Sequence, residues 1–227
     1  SKRLSKQRLD PMIEETPVLR VKIAPPRSRD SSNTMMAKDF PNGFFILTGS
    51  NSATGLRSTP CKYVLMDEVD SFVTDVDGEG DPVELAVKRA TTFPKRKILL
   101  TSTPTIKDFS RIEAEYLKSD QRVYKIPCPI CNFYQQLEWK QLKFDKENLK
   151  ETKYQCISCK ELFDERHKTK MLRKGKWEPQ SIGDGITKGY RLNGMYSPLG
   201  WLSWEQMARE FLAAKKDAPL LKTFVNT

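Results

Sequence analysis

Two sets of residues are spaced for chemistry. In "CKYVLMDEVDSF" (61–72) an apolar run, Tyr63 to Met66, ends in adjacent carboxylates, Asp67 and Glu68. Two acids closing a buried strand cost free energy unless they hold something, because a desolvated charge needs a partner. Either the strand ends in an exposed turn with Asp67 and Glu68 solvated, or the two acids hold a divalent cation. Mg²⁺ binds through one or two carboxylates and keeps several waters, and a second carboxylate beside it can take a proton from an attacking water. A neighbouring run, "RKILLTST" (96–103), ends in three hydroxyls, Thr101, Ser102 and Thr103. The other set is C-x2-C-x24-C-x2-C: Cys128, Cys131, Cys156 and Cys159. Each C-x-x-C places two thiolates on one tight knuckle, and two knuckles make a closed tetrahedral Zn²⁺ site with no open coordination position, so its expected role is structural.

The elements that must position these residues follow from the pattern. "GFFILTGS" (43–50), "KYVLMDE" (62–68) and "RKILLTST" (96–103) are continuous apolar runs. Such runs suit strands of a parallel sheet covered on both faces. Between them, "DPVELAVKRATTF" begins with Asp81 as N-cap and Pro82 at the first helical position, with Glu84 at capping-box spacing. "SRIEAEYLKSD" repeats the signature with Ser110 and Glu113. Strand and helix alternating in this way predict an α/β core with a parallel sheet, and in such sheets ligands bind beyond the carboxyl ends of the strands. "RVYKIPC" and "KYQC" read as the short strands of a zinc ribbon. The opening stretch is expected to hold a short helix broken near Pro11 and Pro17, and "KIAPPRSRDSSN" (22–33) reads as a loop. Ser203 and Gln206 open a further helix, against which Trp201 and Trp204 are expected to pack. The expected divisions are 1–120 (α/β core), 121–176 (ribbon) and 177–227 (C-terminal part).

Charge points to a polyanion. The chain carries 39 Lys and Arg against 29 Asp and Glu, a formal +10, which reads either as a solvated basic surface or as a nucleic-acid footprint. After the last cysteine, "DERHKTKMLRKGKW" holds Lys168, Lys170, Arg173, Lys174 and Lys176 beside Trp177. These are candidate phosphate contacts, with a solvated helix face as the competing reading. Doubled C-x-x-C points to metal in a reducing compartment rather than to disulfides. Cys61 is left over near the core, and His167 is expected at the surface. No run reaches the roughly 20 apolar residues of a membrane span, so no membrane partner is expected.

An apolar strand ending in Asp-Glu is also the Walker B pattern of P-loop NTPases, but no G-x-x-x-x-G-K-[ST] loop accompanies it. Either that loop lies upstream of Ser1 or the chain is not a P-loop protein; the start on serine favours the former. "YVLMDEVDSF", "EGDPVELAVKRATTFPKRKILLTSTPT", "CPICNFYQQLEW" and "GYRLNGMYSPLGWLSWEQMAREFLAAKKDAPLLKTFVNT" together resemble the large terminase subunit of tailed bacteriophages, in its lambda-type (gpA-like) branch. The resemblance implies a partial P-loop NTPase of the ASCE, RecA-like class with helices on both sheet faces, plus a Cys₄ zinc ribbon. It implies a DNA-packaging motor that uses ATP and Mg²⁺, with Asp67 as the magnesium residue and Glu68 as the catalytic carboxylate. Thr101, Ser102 and Thr103 would form the coupling motif, and Arg57 in "GLRS" would contact DNA or phosphate. It further implies double-stranded DNA, a small terminase subunit and a portal protein as partners, homo-oligomers, and action in the cytoplasm of a bacterial host. The P-loop, adenine segment, arginine finger and nuclease carboxylates are missing from these residues, so the piece alone is expected to be inactive. A helicase-type ATPase with an inserted ribbon, or a non-enzymatic zinc-ribbon DNA-binding module, are the alternative readings.

Overall fold

The computed structural model describes residues 2–23, 33–57, 59–106 and 108–226; most of the loop expected at 22–33 lies outside them. They fall into two compact units, 1–101 and 102–227. The sequence division at 120 differs from this one: the helix opened by Ser110 belongs to the second unit.

The first unit opens with a helical path made of α1 (Lys2–Leu4), a π-helical turn (Ser5–Leu9) and α2 (Asp10–Glu15), followed by α3 (Pro17–Lys22). Pro11 does not break it. It is the second residue of α2, directly after the π-helical turn Ser5–Leu9. The break comes at Thr16, whose extended backbone (φ −97°, ψ 106°) precedes Pro17. Strands β1 (Ala37–Phe40) and β2 (Gly43–Ile46) pair antiparallel around the turn at Pro41 and Asn42. Asn42 takes φ 68°, the left-handed position that follows proline in a type II turn. Lys38 of β1, nearly fully buried, is ion-paired with Asp10 of α2 at 2.9 Å. "GFFILTGS" is therefore a hairpin strand with Phe44, Phe45 and Ile46 exposed, not the third strand of a parallel sheet.

The parallel sheet has two strands among the described residues. α4 (Ala53–Arg57) precedes β3 (Tyr63–Asp67), and α5 (Pro82–Lys88) leads to β4 (Lys97–Thr101). β3 and β4 run in register from Tyr63 opposite Lys97 to Asp67 opposite Thr101. α5 starts as its sequence dictates: the Asp81 carboxylate accepts from the N–H groups of Val83 and Glu84. Helices were expected on both faces; among the described residues one face is covered. Val64 and Met66 are buried, whereas Tyr63, Leu65 and Leu99 are exposed on the face that carries Asp67 and Thr101.

In the second unit, α6 (Arg111–Lys118) is capped by Ser110, as its sequence predicts. It is followed by β5 (Arg122–Pro127), β6 (Tyr134–Gln135), β7 (Leu142–Lys143), β8 (Lys153–Gln155) and β9 (Leu162–Phe163). Then come α7 (Lys168–Arg173), β10 (Lys176–Glu178), β11 (Tyr190–Arg191), α8 (Trp204–Ala214) and α9 (Ala218–Asn226). β10 and β11 flank β5, β6 pairs with β5, and β7, β8 and β9 form a three-stranded antiparallel sheet. One core joins Ile126, Leu137, Tyr154 and Phe163 to Met195, Tyr196, Trp204 and Met207, and it includes Cys128 and Cys156. Trp139 packs at tilted and edge-on angles against Phe144, Phe211 and Phe224 beside it.

Candidate functional site

Asp67 and Thr101 are the last residues of their strands and lie opposite each other. The Thr101 hydroxyl donates to Asp67 Oδ1 at 2.5 Å, and the Glu68 N–H donates to the same oxygen at 3.2 Å. This fixes the rotamer of Asp67. Glu68 adopts a left-handed backbone (φ 56°, ψ 46°) as the chain turns into the 3₁₀ segment Val69–Ser71. A non-glycine residue there costs about 1–2 kcal/mol. The turn is held by Ser71, whose hydroxyl and N–H both donate to the Glu68 carbonyl, at 2.6 and 2.9 Å. Both carboxylates face solvent. Ser102 and Thr103 follow Thr101 in the chain but belong to the second unit. Arg57, at the end of α4, is ion-paired through Nε with Glu79 at 2.8 Å and leaves half of its side chain exposed.

The four cysteines converge. Their sulfurs all lie within 4.8 Å of one another, with Cys131–Cys156 at 3.7 Å and Cys128–Cys159 at 4.0 Å. A tetrahedron of Zn–S bonds of about 2.3 Å has edges of about 3.8 Å, so the set fits such an ion. The two knuckles repeat one geometry. Cys128 N–H donates to the Phe133 carbonyl and Cys156 N–H to that of Glu161. Ile130 N–H reaches Cys128 Sγ and Ser158 N–H reaches Cys156 Sγ, each at 3.4 Å. Asn132 and Lys160, each following a second cysteine, take φ 60° and 65°. Burial pushes the Cys128 thiol up to about 12, while the N–H of Phe133 brings Cys131 down to about 7. A buried thiol of that kind is expected to release its proton to solvent when a cation binds the sulfur. Cys61, outside the cluster, is half-buried, and burial raises its thiol.

The structure sorts the basic segment. Lys168 is a correction to the expected phosphate contacts: it is fully buried, ion-paired with Glu165, and lies 5.5 Å above the Trp204 ring. Glu165 also accepts from the Trp204 N–H at 3.1 Å. Sequence patterning could not reveal this, because Trp204 lies far along the chain. Replacing Lys168 by Met should cost about 3 kcal/mol, since breaking a buried pair strands its partner. Urea unfolding measures it; weakened DNA binding at unchanged stability would contradict this assignment. Lys170, Arg173, Lys174 and Lys176 are exposed. Lys176 lies 4.6 Å above the Tyr134 ring, and the Tyr134 hydroxyl donates to the Lys174 carbonyl at 3.1 Å. Trp204 is buried as expected, but Trp201 is 78% exposed. No sequence signal singled out Tyr196. Its hydroxyl accepts from Leu137 N–H at 2.7 Å and donates to the Tyr124 carbonyl at 2.5 Å, joining the C-terminal segment to the strands that carry the cysteines.

Comparison with known proteins decides the family. The model for the phage terminase large subunit gpA, ATPase domain, matches residues 1–177. The chain belongs to the gpA family of phage terminase large subunits. A second terminase model, the gpA endonuclease domain, matches residues 187–227. Among relatives, the "Terminase, large subunit" of Enterobacteria phage P21 is 30% identical over 247 aligned positions, and that of Escherichia phage lambda 26% over 251. Each alignment covers 98% of this chain, and the chain spans 38% of each relative's length. No solved structure matches. In this terminase chain Met195, Tyr196, Trp204 and Met207 of the endonuclease-matching stretch share a core with two of the cysteines. No helix among the described residues is long and apolar enough to cross a membrane.

Proposed function

We propose that this chain is the part of a DNA-packaging ATPase that handles Mg²⁺ and hydrolytic water, joined to a structural Zn²⁺ ribbon. The observation that carries the reading is the pairing of Asp67 with Thr101 at adjacent parallel strand ends, in a chain that matches the terminase ATPase family. Asp67 would hold Mg²⁺ on ATP through its remaining oxygen, with waters completing the shell. Glu68 would polarise the attacking water. Thr101, Ser102 and Thr103 would couple loss of the γ-phosphate to movement. Cys128, Cys131, Cys156 and Cys159 would hold Zn²⁺, a closed site that supplies folding energy rather than chemistry. In the full-length protein, ATP hydrolysis would drive double-stranded DNA into a procapsid, with a small terminase subunit, a portal protein and further copies of the same chain, in the host cytoplasm. These residues alone would not hydrolyse ATP. Magnesium-dependent ATP hydrolysis by the full-length protein, stimulated by duplex DNA, is the test; a full-length protein that neither binds nor turns over ATP would reject the reading.

Lys170, Arg173, Lys174 and Lys176, with Arg57 on the first unit, remain candidate DNA contacts. The first four lie on one short stretch, α7 to β10, with Tyr134 against its end, which suits a phosphate backbone. Changing all four to Gln should weaken duplex binding alike for all sequences. The slope of log K against log salt should become shallower by about 0.9 for every phosphate that is no longer neutralised. An unchanged slope in a binding titration would assign DNA to another surface.

A further inference from the structure

Gln135 is the last residue of β6 and only 1% exposed. β6 follows the first knuckle directly, and Gln135 pairs with Ile126 on β5, the strand that delivers Cys128. Its side chain reaches the other knuckle: Oε1 accepts from the Ile157 N–H at 2.9 Å, and Ile157 follows Cys156 in the chain. Because a donor faces that end of the amide, it must be the oxygen. The nitrogen, Nε2, is buried with no hydrogen-bond partner. Buried polar atoms nearly always have partners, so an exception asks for a reason. Here an apolar side chain would strand the Ile157 N–H, and with it the backbone that aims Cys156 and Cys159. The amide oxygen satisfies that N–H and leaves its own nitrogen idle. Two knuckles far apart in sequence are thus linked across their base by a group that is not a metal ligand.

We propose that Gln135 is a positioning residue for the four-cysteine metal site. Its side-chain oxygen holds the second knuckle against the strand of the first, and so keeps the four sulfurs in place around a bound ion. The inference rests on reading the cysteines as metal ligands. Groups that orient ligands without touching the metal typically change its affinity 10- to 100-fold.

The experiment uses the full-length protein loaded with Zn²⁺, and separately with Co²⁺. Gln135→Met keeps length and bulk but removes the acceptor. Gln135→Asn keeps the amide but falls short of Ile157. Either variant should release Zn²⁺ to excess chelator about 10- to 100-fold faster than wild type, and should alter the sulfur-to-cobalt charge-transfer band. Thr152→Val is the control. It removes a different, partly buried hydrogen bond in the same unit, from Thr152 Oγ1 to the Leu149 carbonyl at 2.6 Å, and should leave release rate and band at wild-type values. Wild-type release and an unchanged band in both Gln135 variants, with one metal per wild-type chain, would overturn this proposal alone. Equal acceleration in the Thr152 control would also overturn it, because general loosening would then suffice. A wild type that takes up no metal would overturn the metal reading as well.

Discussion

Full-length protein carrying Glu68→Gln should hydrolyse ATP at least about 100-fold more slowly, with nucleotide affinity changed by less than about threefold. The local structure isolates the effect. The Glu68 carboxylate makes none of the contacts that hold its turn: Ser71 bonds to the Glu68 carbonyl, and Asp67 accepts the Glu68 N–H. Glutamine pays no more than glutamate to sit at φ 56°, and both are the same size. Asp67 keeps its charge and its Thr101 partner, so the proposed magnesium grip survives. Only the proposed proton acceptor is lost, and general-base contributions of about 10²–10⁴ correspond to about 3–5 kcal/mol of barrier. Single-turnover hydrolysis with a nucleotide-binding titration separates the two quantities. Turnover within tenfold of wild type would move the general base elsewhere, and a large loss of affinity would mean that Glu68 binds rather than activates.

How much of this was legible in the sequence varies with the range of the forces involved. β3, β4 and α5 were legible because their signals are local: an apolar run, a cap, and a proline in the first turn. The cysteine cluster was legible because C-x-x-C builds its knuckle whatever surrounds it, and the matched bonds around residues 128–133 and 156–161 show this. The hairpin at 37–46 was not, because a four-residue apolar stretch pairs equally well parallel or antiparallel, and the turn at Pro41 and Asn42 decides. Lys168 looked like its neighbours in a basic run. Its burial depends on Glu165 one helical turn back and on Trp204 across the core, and only tertiary packing supplies the latter. Gln135 carried no signal, since nothing in a lone glutamine foretells an amide bond to a distant knuckle.

Loss of the proposed metal should undo far more than the two cysteine knuckles. Cys128→Ser, or chelation in the presence of reductant, is expected to abolish metal binding and the ordered packing of the whole second unit. Cys128 and Cys156 are fully buried in one core with Tyr154, Met195, Tyr196 and Trp204, so the sulfurs and the endonuclease-matching stretch stand or fall together. Magnitudes decide the outcome. Structural Zn²⁺ contributes about 10–16 kcal/mol of apparent binding free energy, whereas whole domains are stable by only about 5–15 kcal/mol. By comparison, breaking the Lys168–Glu165 pair should cost about 3 kcal/mol and leave the unit folded. Measured on the 227-residue chain the readout is selective, because all four of its tryptophans (Trp139, Trp177, Trp201 and Trp204) lie in the second unit. Near-ultraviolet circular dichroism and tryptophan emission should therefore collapse together, and limited proteolysis should open residues 190–215 as readily as the knuckles. If the Cys128→Ser protein keeps a wild-type tryptophan signal and resists cleavage there, the aromatic core stands without the ion, and the cysteines serve something other than its folding.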